Sequence, residues 1–274
     1  MAMVRMNPTC MPASKATTII RSGPCQTGEK TSTGTTATPN HGVAYTSEPI
    51  ELSTKHQDRS IHVLGYFLEQ PPGETFRGHL ACLQEARRER NGRLTERLRQ
   101  LGLSIRLEDA KKLGRSQTGR PHFAQLLVNR GYVSSIREAF EVYLDESAPG
   151  YVERRDPSLE NVLRWIREAG GISSWAHPGR AIRKAEGSAR DFFEDLGAKG
   201  LDAVEVYHVD HTADEIAQFR SAAENLGLGI TGGSDFHGTE KGRAQLGAFN
   251  LPSSLLEALR AHSQSVQDPL RRSV

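Results

Sequence analysis

The chain has few of the residues that would tie it covalently. It carries three cysteines in 274 residues, Cys10, Cys25 and Cys82. No two of them stand at a metal-finger spacing, which argues against a zinc–thiolate site and a disulfide framework and suits a reducing compartment. No apolar run approaches the ~20 residues a membrane helix needs. The stretch "TTII" near the start is far too short for the core of a signal peptide. Excess charge of one sign is missing too: 35 Lys and Arg stand against 33 Asp and Glu, a net charge of +2. No general field for nucleic acid follows from that balance. Together these absences predict a cytoplasmic protein with no membrane attachment and no evident obligate protein partner. What is present is ordinary, at 36% hydrophobic and 25% charged, in a length that allows one large domain or two modest ones.

One lack is regional. Residues 1–48 are rich in Thr, Ser, Gly and Pro, as in "TTIIRSGPCQTGEKTSTGTTATPNHG", and show neither helical nor strand periodicity. Such a stretch buries too little apolar surface to offset its ordering entropy, and disorder is expected there. A flexible tail is expected at 263–274.

Order is predicted from residue 49. "PIELS" and "SIHVLGYF" read as two strands joined by a polar turn, "TKHQDR". From 74 to 150 the pattern is helical, with Leu80, Leu83, Leu94, Leu98 and Leu101 on one stripe and Pro121 at a helix start. This block reads as a small helical module. Within it "EARRERNGRLTERLRQ" alternates six arginines with glutamates. Alternating signs usually mark a solvated, ion-paired face. The functional reading, steering of an RNA end, is weakened by the lack of an aromatic residue for stacking.

From 156 the pattern changes to alternating strands and helices. "DPSLENVLRWIREAGG" is a predicted helix with Asp156 as its cap; "ISSWAHP" is a strand, "ARDFFEDLGAKG" a helix, and "LDAVEVYH" a strand. "TADEIAQFRSAAENLG" opens on a capping box, Thr212 to Glu215. "LGLGITGG" and "QLGAFNL" are strands, and "SLLEALRAHS" is a last helix with Ser254 to Glu257 as its box. The alternation predicts parallel βα units, whose sites sit at the C-terminal ends of strands.

Those strand ends share a chemistry. One ends at His177, the next near Glu205, Tyr207 and His208, and the next at Asp235 and His237 in "TGGSDFHG". The two early strands carry Glu51 and His62. On a strand, positions i and i+2 face the same way, so Asp235 and His237 would point together. Each residue alone has a plain structural reading. His62 would be a satisfied core or surface group, His177 an extended residue before Pro178, and Asp235 a turn or cap residue. Repeated at successive strand ends, carboxylate oxygens and imidazole nitrogens form a ligand set for Mn, Zn or Fe.

"IELS…SIHVLGYFL", "GRPHFAQLLVNRGYV", "SSWAHPGR", "VEVYHVDHT" and "TGGSDFHG" closely resemble the PHP (polymerase and histidinol phosphatase) family over residues 49–262. The likeness is strongest to its nucleoside 3′,5′-bisphosphate phosphatase and exoribonuclease branch. The resemblance implies an α/β fold, a distorted seven-stranded (β/α) barrel formed by 49–73 and 151–262, with 74–150 as an inserted helical module. It implies two or three divalent ions, manganese first with zinc or iron as alternatives. The implied reaction is phosphoester hydrolysis on a nucleotide or short RNA. Glu51 then matches the metal-bridging glutamate, with His62, His177, Asp235 and His237 as further ligands. The resemblance makes His177, Asp235 and His237 catalytic. It places Arg120 and His122 in a phosphate-facing motif and sets Arg180 and His211 near phosphate.

The family also opens with a His-x-His strand and a second strand bearing Thr-Asp-His-Asp. Neither occurs here, and residues 1–48 hold only His41. The register resumes near Glu48–Glu51, as expected of a misread frame, a misplaced start or a true truncation. With about four of nine family ligands missing, little or no hydrolysis is expected from this chain. The alternative is a non-catalytic remnant that binds anions or RNA through the helical module.

Overall fold

The computed structural model describes residues 49–114, 118–235 and 251–267. They form an open mixed sheet of five strands, flanked by helices and extended by a helical module. The first two strands are β1 (Ile50–His56) and β2 (Arg59–Tyr66), an antiparallel hairpin. Gln57 and Asp58 both have positive φ, 47° and 59°. Two left-handed residues in a row are the two-residue turn whose twist matches that of the strands. The strands therefore run deeper into "TKHQDR" than the sequence suggested.

Along the hairpin, side chains alternate between a dry face and a wet one. Leu52, Thr54, His56, Ile61 and Val63 are buried, whereas Glu51 and Lys55 are exposed. The strand β3 (Ile172–Trp175) pairs antiparallel with β2; β4 (Ala203–His208) and β5 (Gly229–Gly233) then add in parallel. The order is β1-β2-β3-β4-β5. The expected barrel is thus corrected: among the described residues the sheet is open; β1 and β2 are antiparallel because a hairpin joins them, and β3 is antiparallel to β2 across the long helical connection. "QLGAFNL", read as a further strand, lies almost wholly outside the described residues.

Helix α1 (Glu74–Gln100) is 27 residues long, about 40 Å. Its apolar stripe serves two cores. Phe76, Leu80 and Leu83 pack with the sheet core around Val63, Trp175, Phe193 and Val206. Leu94 and Leu98 belong to a second core with Phe123, Leu127 and Leu144. That second core is closed by α2 (Leu107–Gly114), α3 (Arg120–Asn129), α4 (Ile136–Ala139) and a π turn at Phe140–Leu144. Leu101, the last leucine of the expected stripe, is exposed.

The remaining helices are α5 (Leu159–Glu168), α6 (Gly179–Ile182), α7 (Ala189–Ala198), α8 (Ala213–Leu226) and α9 (Ser253–Gln267). The Ser158 hydroxyl, not Asp156, caps α5 by accepting the Asn161 N–H. The Thr212–Glu215 box caps α8, and Gly227 ends it at φ 69°. Ser254 lies inside α9, which runs past residue 262 to Gln267. No described helix is long and apolar enough to cross a membrane.

Candidate metal and phosphate site

The wet face of the hairpin carries Glu51 and His62. Glu51 lies opposite Leu64 and His62 opposite Ser53, so the two are diagonal neighbours on one face. Glu51 Oε1 reaches His62 Nδ1 at 2.5 Å. His177, just past β3, brings Nε2 to 3.2 Å from His62 Nδ1 and 3.7 Å from Glu51 Oε1. One donor atom from each of the three lies within 4.8 Å of the others. Burial alone would raise the Glu51 carboxyl, but hydrogen bonds from His177 and His62, and their charge, hold it far below the usual range.

Two backbone features aim these groups. His177 has φ 35°, left-handed and costly for a residue with a Cβ. It is therefore not the extended residue that the following proline suggested. Its N–H donates to Glu205 Oε2 at 2.7 Å, and the Gly179 N–H donates to His211 Nε2 at 3.2 Å. A Cβ on Gly179 would lie 2.8 Å from the His211 ring, so this tight turn needs glycine. His211 Nδ1 meets the Val206 carbonyl at 2.9 Å. Both of its nitrogens are thus engaged by backbone, and the ring is buried.

The second feature is a bulge in β4. Glu205 pairs with Thr231, but Tyr207 pairs with Gly232, so the register slips by one residue between them. Simple alternation would set Glu205 and His208 on opposite faces. The bulge returns both to the His177 side, where the His208 and His177 ring centroids lie 5.7 Å apart. Neither residue was assigned a role from the sequence, although both were noted at that strand end. Burial raises the Glu205 carboxyl to about 8 and lowers the His208 imidazole to about 4. His208 Nδ1 accepts the Asp210 N–H at 3.1 Å, while Nε2 is buried without a partner among the described residues.

Asp235 is not on a strand, because β5 ends at Gly233 and Asp235 has φ 51°. It binds Arg180 Nη1 through Oδ2 at 2.9 Å. Arg180 also holds Asp210, 2.7 Å from Nε. Arg180 therefore ties together the loops that follow β3, β4 and β5. His237 lies outside the described residues, so the expected Asp-x-His pair is represented by Asp235 alone.

Opposite this acid and imidazole group stand arginines of the helical module. Arg90 is 5% exposed, and its Nε has no partner among the described residues. Burial, then the nearby charges of Arg120, Arg154 and Arg87, push its guanidinium down to about 10. Arg87 is lowered by burial and by Arg154, and is opposed by the negative charges of Asp156 and Glu51. The field of Glu51 thus reaches this cluster. Arg154 Nε grips Asp156 at 2.6 Å. Arg120 starts α3, sends Nη1 to the Leu144 carbonyl at 3.3 Å, and lies 5.6 Å from the Tyr151 ring centroid. His122 Nδ1 accepts the Gly119 N–H at 3.0 Å, which caps that helix.

The donor set fits a divalent cation: one carboxylate and two imidazoles at bonding separations, partly open to solvent, in a mixed N/O set. Such donors facing guanidinium groups are the layout of a metal-dependent phosphoesterase. The chain belongs to the PHP family of phosphoesterases. It is 30% identical over 200 residues to the 3′,5′-nucleoside bisphosphate phosphatase of Chromobacterium violaceum, covering 72% of this chain and 70% of that one. It is 32% identical over 194 residues to the 5′-3′ exoribonuclease Rnm of Escherichia coli, covering 69% of this chain and 64% of that one. A solved structure from Bifidobacterium adolescentis, assigned as a metal-dependent phosphoesterase, superposes with a TM-score of 0.64 at 27% identity. That match covers 78% of this chain and 75% of the other. No family model matches the chain.

Proposed function

We propose that the protein binds a divalent cation through Glu51, His62 and His177 and acts on a phosphate ester of a nucleotide that carries a second phosphate. The observation that carries this reading is the arginine cluster opposite the donors. Four guanidinium groups, Arg87, Arg90, Arg120 and Arg154, lie close together; Asp156 is a nearby counter-charge for three of them, Arg87, Arg90 and Arg154, and Arg90 is buried with Nε unpaired. Like charges held together away from water are costly unless an anion joins them. A nucleoside 3′,5′-bisphosphate, or the 5′ end of a short RNA, supplies one phosphate to the cation and another to the arginines.

A bound cation of this class supplies a Lewis acid and an acidified water. The residues of the chain do the rest. Glu51 stays ionised, as a carboxylate that would hold the cation must, and His62 and His177 each turn a nitrogen toward it. Glu205 fixes the His177 backbone through one hydrogen bond. Arg87 and Arg90 offer fixed positive charge where phosphoryl oxygens gain negative charge. Asp235, and His237 beyond it, complete the donor set in this reading.

A second reading is binding without hydrolysis. It is favoured by the contrast between four assembled arginines and three assembled donors among the described residues. Phosphate release from a nucleoside 3′,5′-bisphosphate, followed with manganese and with chelator, separates the two. Release at or above about 1 per second with metal supports the enzyme. Retained binding in chelator with no release under any metal supports the binder.

A further inference from the structure

The arginines of α1 do not stop at Arg90. Arg87, Arg90, Arg93 and Arg97 follow one another at intervals of three, three and four residues, which keeps them within an arc of roughly 120° along about 15 Å of helix. On the opposite side Arg88 pairs with Glu85, and Arg99 with Glu96, within the helix itself, whereas Arg97 sends Nε across to the Pro149 carbonyl at 2.8 Å. Beside the outer half of the stripe lies a cavity of about 400 Å³, lined by Arg93, Glu96, Arg97, Gln100, Tyr151 and Glu153 among others. Tyr151 is the ring beneath Arg120, so the cavity begins where the inner arginine cluster ends.

We infer that this stripe and cavity form a binding track for the nucleotides that follow the reacting end of a short single-stranded oligonucleotide. The lining is mixed, and the mixture is informative. Glu96 and Glu153 would repel a phosphate inside the cavity. They would accept from the amino groups of a base, as Gln100 would, and Tyr151 offers an aromatic surface. The base side of a nucleotide then enters the cavity and its phosphate lies along Arg93 and Arg97. The track rests on the proposed function, because it begins where the second phosphate is held.

The test is fluorescence anisotropy on the full chain, in chelator so that no probe is cleaved. The probes are 5′-phosphorylated tri- and pentaribonucleotides with a 3′ dye, and a nucleoside 3′,5′-bisphosphate is the competitor. The expected result is a pentamer affinity at least about tenfold above that of the bisphosphate, with the steeper salt dependence of a longer phosphate contact. Arg93→Glu and Tyr151→Leu each erase that length increment, and Arg93→Lys retains most of it. Equal affinity for all lengths, or an increment that survives Arg93→Glu, overturns the track while leaving the bisphosphate reading intact. A pentamer that binds and responds to Arg93→Glu, but is not displaced by the bisphosphate, supports the track and sinks that reading instead. Failure of every probe to bind, in chelator and again with manganese added, overturns both.

Discussion

The two sides of the site are assembled in opposite ways. The acid and imidazole side draws Glu51, His62 and His177 from three separate elements, and strand register together with the left-handed turn at His177 brings them together. The arginine side takes two of its four members, Arg87 and Arg90, from one helix, where local geometry alone aligns them. The first side therefore depends on the tertiary fold for its existence. The second depends on it for burial, which withdraws Arg90 from water and leaves Arg87, Arg120 and Arg154 half-buried around it.

The largest effect should come from breaking the first side. His177→Ala removes a donor and the hydrogen bond partner of Glu51; manganese binding, followed by calorimetry, should weaken by at least about a hundredfold. Bisphosphate binding in chelator should barely change if the two sides are independent. Next is the core beneath the second side. Phe123 is fully buried in the module, so Phe123→Ala should cost about 3–5 kcal/mol. Hydrogen exchange should then show protection lost in α2 and α3 before the sheet. Simultaneous loss in both would mean that the module and the sheet unfold as one cooperative unit.

Arg90→Met sharpens it. Removing a buried cation with an unpaired Nε should leave the melting temperature unchanged or higher. Affinity for the bisphosphate should fall about ten- to a hundredfold. The smallest effect concerns the loops that follow β3 and β4. Arg183 holds Glu215 with a fork of 2.6 and 2.8 Å and lowers its carboxyl from 4.5 to about 2. A carboxyl depressed in the folded state contributes stability above pH 4.5, and that contribution is lost as pH falls through about 2. Glu215→Gln should remove that acid slope, worth about 1 kcal/mol at a partly exposed pair, in urea melts taken across the window.

The sequence showed the first side better than the second. Glu51, His62 and His177 stood out because rare side chains recur at strand ends, a pattern of period two. The left-handed turns at His177 and Asp235 were hidden, since nothing in "AHPG" or "SDFH" requires positive φ of a non-glycine residue. The bulge that brings Glu205 and His208 together was hidden too, because an extra residue leaves no mark in an apolar run. The Arg90 role was obscured by its neighbours. "EARRERNGRLTERLRQ" reads as a solvated face, and for Arg88 and Arg99 that is what the structure shows. Only the packing of the module at 118–154 shows which arginines are withdrawn from water. The seven-stranded barrel came from resemblance, and the described residues form five strands in an open sheet.

One helix is stitched into both hydrophobic cores, Phe76 and Leu83 at one end and Leu94 and Leu98 at the other. The two sides of the site therefore cannot drift apart without snapping α1 in its middle. The gap between Glu51 and Arg90 works as a fixed gauge. On the proposed function it would sort ligands by the distance between their charges, much as a caliper accepts one thickness and rejects its neighbours. Selectivity would then be a matter of length, set before any ligand arrives.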